Sequence, residues 1–328
     1  MAFSREVYAQ ALAELESRRG KASARAAAFR ERMIREIPRL GEIEKAMAQS
    51  STKVVRAILD GGNIEPTVDR IKTENLALQV EMSMLLREHG ETAVNFEPQY
   101  TCPACEDTGM ANGKRCACLE ALLQEISCRT LSELSSMRPT SFDELDLTAY
   151  SDRPEGRNAI SPRARMREVI GYCRLYAEEF DGQDNSLLLT GPTGVGKTHL
   201  SLAIAGAVMA KGHSVVYGPV QKLLHRLEKE HFGRAEGNSE DIMTACDLLI
   251  LDDVGTEFSG SFYTSALYNI INERMLEGKP TIISTNLSPK ELADRYGDAI
   301  ASRIVGTFHP LVCAGGDIRL LKMKQSLV

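Results

Sequence analysis

The segment GPTGVGKT, Gly191 to Thr198, has the residue types and spacing that cradle a polyphosphate. Gly191, Gly194 and Gly196 let the loop Gly191-Pro192-Thr193-Gly194-Val195-Gly196 curl until its amide N–H groups face the phosphates, and the helix that follows adds a favourable dipole. Lys197 would pair with the β and γ phosphates, and Thr198 would place its hydroxyl on Mg²⁺. The apolar run LLLT before the loop and the periodic stretch after it, which Gly212 would end, supply the strand and the helix that such a loop needs.

The second half of such a site is an acid at a strand end. CDLLILDDVGTE provides it: Leu248 to Leu251 read as a buried strand, with Asp252 and Asp253 at its carboxyl edge, where ligands sit in open α/β sheets. Asp252 would hold Mg²⁺ through water, and Asp253 would orient or deprotonate the attacking water. Glu257 is a second candidate for that last role, and a merely solvated acidic loop is the plain alternative. In KPTIISTNLSPKEL, Asn286 falls at another carboxyl edge, where its amide could sense the γ phosphate or simply cap the next helix. Arg303 and Arg319 are candidates for charge on the transition-state oxygens, supplied within the chain or by a neighbour.

A different chemistry is written in CPACEDTGMANGKRCACL. Cys102, Cys105, Cys116 and Cys118 are four of the eight cysteines of the chain, and their two close pairs flank a loop with Gly109 and Gly113. Four soft ligands so spaced suit a closed, structural tetrahedral Zn²⁺ site, with an iron–sulfur cluster as the alternative. Cys128, Cys173, Cys246 and Cys313 are scattered and read as small core residues.

These residues need elements to hold them. The 328 residues suffice for two domains, and the net charge of −6 arises from mixed charges, so any polyanion site is local. No long apolar run is present and the start MAFSREVYAQ is not a signal peptide, which points to a cytoplasmic chain. Residues 1–95 read as helices divided by Pro38, Gly61-Gly62 and Pro66. From Ile64 an apolar seam (Val68, Ile71, Leu78, Met82, Leu85) carries Asn75, and it would pack either in a hairpin or against a partner. Residues 96–130 form the cysteine module and 131–160 a linker rich in Pro, Ser and Asp. From 161 to 328, Leu/Ile/Val runs alternate with helical patterns, the signature of an α/β fold with a parallel sheet covered by helices.

Taken in order, the loop at 191–198, LLILDD, STN at 284–286, SRI at 302–304 and GGDIR at 315–319 resemble an AAA+ P-loop ATPase. LDDVGTE and YTCPACEDTGMANGKRCACL resemble, more narrowly, the DnaC/DnaI-type replicative helicase loaders over residues 97–328. The resemblance implies ATP as ligand, with Lys197 and Thr198 the Walker A pair, Asp252 and Asp253 the Walker B pair and Asn286 sensor 1. It makes Arg303 a trans-acting arginine finger and Arg319 sensor 2. Asp253 stands where AAA+ proteins more often carry Glu, which implies slow hydrolysis. The resemblance also implies a nucleotide-dependent homo-oligomer, a replicative helicase as partner, and single-stranded DNA, for which Lys222, Arg226 and Lys229 could supply backbone contacts unless they merely form a solvated helix face. An IstB-like transposition helper ATPase and an ATP-binding adaptor with little hydrolysis are the competing readings.

Overall fold

A computed structural model describes residues 3, 5–59, 64–133, 137–154, 160–258 and 260–318, with side chains left out at 51–67. The chain divides into two compact units, residues 11–119 and residues 1–10 with 120–328. Among the described residues no helix is long and apolar enough to cross a membrane.

The smaller unit is built on three helices, α1 (Arg5–Glu36, which begins just before it), α2 (Pro38–Leu59) and α3 (Ile64–Glu88). Pro38 ends α1 and opens α2, where its missing N–H costs nothing. Met33, Ile37, Leu40, Leu86 and Phe96 form the core, with Phe29 edge-on to Phe96. Asn75 settles one open choice. Its amide oxygen accepts from the Ser50 hydroxyl of α2 at 2.9 Å, so the seam packs within its own chain as a hairpin. Ile71 is buried there, and Leu78, Met82 and Leu85 are partly covered; the Ile64 side chain and Gly61-Gly62 lie outside what is described. The turn Asn112-Gly113 then joins β1 (Met110–Ala111) to β2 (Lys114–Arg115). Both turn residues have positive φ, as a two-residue hairpin of this hand requires.

In the larger unit α4 (Ala117–Glu133) is followed by 3₁₀ turns at Phe142–Glu144 and Leu147–Ala149 and then by α5 (Pro162–Glu179). The remaining order is β3 (Leu187–Thr190), α6 (Lys197–Ala210), β4 (Val215–Pro219), α7 (Val220–His231), α8 (Ser239–Ala245), β5 (Leu248–Val254), α9 (Ser261–Leu276), β6 (Thr281–Thr285), α10 (Pro289–Tyr296), α11 (Asp298–Thr307) and β7 (His309–Val312). The five strands from β3 to β7 make one parallel sheet in the order β4-β5-β6-β3-β7. Period-two alternation sorts the strand residues onto two faces. Leu187, Leu189, Val215, Tyr217, Leu248, Ile250 and Ile282 pack against α5 and α6, whereas Leu188, Val216, Leu249, Leu251 and Ile283 pack against α7 to α11. Cys128, Cys173, Cys246 and Cys313 are all buried, as expected of core residues. Residues 142–150, read from sequence as linker, instead contribute Phe142 and Tyr150 to the first of these cores.

Arg274 of α9 is fully buried. Its guanidinium donates to the carbonyls of Met243, Thr244, Cys246 and Pro280 and to the Thr281 hydroxyl, which ties the entry of β5 to that of β6. Arg274→Met keeps the apolar stem but takes the guanidinium from every one of those carbonyls, leaving Pro280 with the Leu249 N–H, Thr244 with Lys279 and Met243 with the Cys246 thiol. The expected loss is about 1–3 kcal/mol, the cost of leaving a buried acceptor such as the Cys246 carbonyl without its partner. A lower urea midpoint with an unchanged slope would register it.

Candidate active site

Sheet order explains why distant segments meet. β5, β6 and β3 are adjacent, and Asp252/Asp253, Asn286 and the glycine loop all lie at their carboxyl ends. Lys197, only 5% exposed, donates its ammonium hydrogens to the Gly191 carbonyl, the Pro192 carbonyl (each at 2.8 Å) and the Asn286 side-chain oxygen. Thr198 Oγ1 donates to the Asp252 carboxylate, 2.9 Å from Oδ2. Burial pushes the Asp252 carboxyl up, while the Ser284 and Thr198 hydroxyls pull it back down. A hydroxyl and a carboxylate facing one another at the root of the loop are the donor set a Mg²⁺ with phosphate and water ligands requires.

The loop glycines answer to packing as well as to phosphate. A Cβ on Gly191 (φ +139°) would lie 2.3 Å from the Cys313 carbonyl oxygen, and one on Gly194 (φ +79°) would fall 2.1 Å from the Asp317 side chain. The segment after β7 is thus laid against the loop, with the Ile318 N–H donating to the Gly194 carbonyl at 3.0 Å. Tyr150 holds the other side through a hydroxyl that donates to the Val195 carbonyl at 3.0 Å. Burial raises that phenol to about 12, so it remains a donor.

Around these groups opens a cavity of about 410 Å³ lined by Thr193, Gly194, Gly196, Lys197, Thr198, Asp253 and Asn286, together with Leu145, Tyr150, Leu202 and Ile318. Its size and its pairing of polar groups with an apolar wall are those of a small-molecule site. A larger cavity of about 640 Å³ between α5 and β7 lacks such convergence, because its charged pair Arg165 and Glu168 is already joined at 3.2 Å.

Sequence reasoning did not single out Tyr150, Asp317 or Leu145. Each reaches the loop across a large sequence separation, and no local pattern marks them. Among the residues it did single out, Asn286 is not a helix cap, since Ser288 caps α10 in a capping box with Glu291. Glu257, 4% exposed, accepts from the Gly255 N–H, the Tyr296 hydroxyl and Arg295, so its carboxylate is committed to holding the loop after β5 on α10. Arg303 lies on α11 with its guanidinium over the Tyr268 ring and a bond to Asn272. It is not among the residues lining the cavity. Arg319 falls outside the described residues. On α7, Arg226 is paired with Glu230, while Lys222 and Lys229 are exposed.

The four cysteine sulfurs converge, with all ligand atoms within 4.8 Å of one another. Cys102 and Cys116 are 3.7 Å apart and Cys105 and Cys118 3.3 Å. Four thiolates on a tetrahedral Zn²⁺ at about 2.3 Å stand about 3.8 Å apart, so the cluster fits that ion. The Asp107 carboxylate accepts the N–H groups of Thr101 and Cys102, fixing the first knuckle.

Residues 172–326 match the family described as IstB-like ATP binding protein. This part of the chain is similar to the IstB-like ATP-binding proteins. An insertion-sequence ATP-binding protein of Mycobacterium tuberculosis is 28% identical over 183 residues, 54% of this chain and 67% of that one. The replicative helicase loader DnaC of Escherichia coli is 30% identical over 140 residues, 42% of this chain and 56% of the loader. The IS21 ATP-binding protein of Pseudomonas aeruginosa is 24% identical over 269 residues, 80% of this chain and 91% of its relative. The chain therefore spans a little over half of DnaC and about two thirds of the mycobacterial protein. The matched residues carry the glycine loop, the acid pair and Asn286, and ATP is the ligand that this family is described as binding.

Proposed function

We propose that the protein is an ATP-hydrolysing helicase loader, which grips a replicative helicase through its helical and cysteine-rich N-terminal region and assists its placement on single-stranded DNA. The observation that carries this reading is an ATP-binding domain joined to a unit whose cysteine cluster has no open position for catalysis. A Zn²⁺ ligated by Cys102, Cys105, Cys116 and Cys118 would stabilise a small fold and leave its surface for binding. On α3 the face opposite the hairpin seam exposes Leu76 (53%), Val80 (60%) and Met84 (58%) at four-residue steps, an apolar stripe that suits a protein partner.

In the ATPase, the glycine loop and Lys197 bind the phosphates, Thr198 and Asp252 hold Mg²⁺, and Asp253 orients or deprotonates the attacking water. Asn286, bonded to Lys197, reports the state of the γ phosphate. Arg303 acts on a neighbour's ATP in a nucleotide-dependent homo-oligomer, for which it must leave Tyr268 and Asn272; Arg319 contacts its own nucleotide. The short Asp253 side chain makes hydrolysis slow. Lys222 and Lys229 track the DNA backbone.

Immobilised full-length protein is expected to capture the replicative helicase of its host in the presence of ATP. Charged substitutions at Leu76, Val80 and Met84 together should cut that capture at least about tenfold while ATP binding is retained, since truncating central apolar anchors costs 1–2 kcal/mol or more each. A second reading, transposition helper, is favoured by the long match to the IS21 protein. Capture of a transposase of an IS21-type element, with none of the helicase, would decide for it.

A further inference from the structure

The ladder between β5 and β6 contains an irregularity at the acids. Pairing runs from Leu249 with Thr281 to Leu251 with Ile283, and resumes at Val254 with Thr285. Two residues, Asp252 and Asp253, therefore stand on β5 where Ser284 alone stands on β6. A bulge of this kind leaves backbone groups outside the ladder, and in a buried strand each needs another partner. Asp253 also sits at φ +54°, in the left-handed region that a residue with a Cβ adopts at a cost. Among the described residues of the larger unit it is the only non-glycine residue at positive φ.

Ser284 answers both demands with one hydroxyl. The side chain is fully buried; its Oγ accepts the Asp253 N–H at 2.9 Å and donates to Asp252 Oδ1 at 2.6 Å. The next residue completes the repair, since Thr285 Oγ1 donates to the Val254 carbonyl at 2.6 Å and accepts the Leu287 N–H at 3.1 Å. The hydroxyls of β6 thus substitute for ladder bonds that the bulge removes, and the strand end they shape carries Asp253 to the wall of the nucleotide cavity.

We propose that Ser284 is a positioning residue for ATP hydrolysis, holding the Asp253 backbone in its left-handed turn and the Asp252 carboxylate against Thr198 through the same oxygen. This rests on the ATPase reading given above. A serine that only filled space would not need both its donor and its acceptor committed to two consecutive acids. Without the hydroxyl, the Asp253 N–H loses its partner and Asp252 Oδ1 keeps only the longer bond from Thr198 at 3.1 Å, so the bulge is free to relax toward ordinary φ, which turns the Asp253 carboxylate away from its place.

The test measures equilibrium affinity for a fluorescent ATP analogue and single-turnover hydrolysis in the full-length chain. Wild-type protein is assayed first, and a wild type that binds but never hydrolyses ATP overturns the ATPase reading itself. Given hydrolysis, Ser284→Ala is expected to lower the rate about 10–100-fold, the usual cost of removing an outer partner of a site ligand, with affinity changed less than about threefold. The decisive comparison is made in an Asp253→Asn background, where the reacting carboxylate is gone. There Ser284→Ala should cost less than about threefold more, because residues acting through one group are not additive. An equal cost in both backgrounds, or rate and affinity falling together, means a merely structural serine and overturns the proposal. Should Ser284→Ala not fold, Ser284→Cys fills the same volume with a weak donor and acceptor. Wild-type turnover in that variant overturns the proposal, and a selective loss of rate supports it.

Discussion

Replacing Lys197 by alanine is expected to weaken ATP binding by at least about 100-fold and to take turnover below detection, with little change in thermal stability of the ATP-free protein. The affinity term comes from two charge-assisted hydrogen bonds to phosphate, each worth about 1.5–3 kcal/mol, with 1.4 kcal/mol per factor of ten. A second contribution is geometric. The ammonium group bonds the Gly191 and Pro192 carbonyls and the Asn286 amide oxygen, so it braces the start of the loop against β6 as well as meeting phosphate. Alanine loses both functions, whereas the fold keeps its core, because the Lys197 stem belongs to neither large apolar cluster. Isothermal calorimetry with ATP and with ADP measures the effect. A variant that still binds ATP within threefold of wild type would mean that the cavity of about 410 Å³ does not take phosphate against Lys197.

How much of this was legible in the sequence depended on whether a feature is contiguous. The glycine loop is one: a short strand, six loop residues and a helix start define their own geometry, and GPTGVGKT was readable with its flanks. The acids of β5 and Asn286 of β6 were legible for a related reason, since each ends an apolar run, and sheet order then makes neighbours of three runs that are far apart in the chain. The cysteine pairs were legible from spacing alone. What the sequence hid are contacts that only tertiary packing creates. Tyr150 sits in a segment with the composition of a linker, yet its hydroxyl meets Val195. Asp317 precedes the arginine expected to sense nucleotide, and nothing in GGDIR says that its carboxylate would crowd Gly194. Ser284 stands in STN with nothing in the sequence to set it apart, and only the bulge in β5 places two acids opposite one serine. Asn75 was recognised as a polar residue on an apolar seam, but its partner Ser50 belongs to another helix 25 residues earlier, so sequence left hairpin and external partner both open.

Stripping metal from the cysteine cluster is expected to unfold the segment around residues 101–116 while the nucleotide site persists. The hairpin there has strands of two residues each, far below what holds on its own in water. Gly109, at φ +77°, lies close against Leu15 and Leu119, so the chain is held there in a backbone conformation that it would not keep alone. Left-handed backbone at Glu106, Asp107 and Asn112 adds further cost to the knuckle and turn. A structural Zn²⁺ bound by deprotonated thiols supplies about 10 kcal/mol or more at neutral pH, and in so small a fold that binding energy is the folding energy. Purified protein should therefore contain one zinc per chain. Both a strong chelator and Cys105→Ser should release it, raising amide exchange at Met110, Ala111, Lys114 and Arg115 to the rate of an unstructured chain. ATP affinity should stay within about threefold, because every residue lining the nucleotide cavity belongs to the other unit. Metal-free protein whose hairpin amides remain protected would sink the structural-zinc assignment. Iron with a visible charge-transfer band would replace it by the cluster reading that the same four thiolates allow.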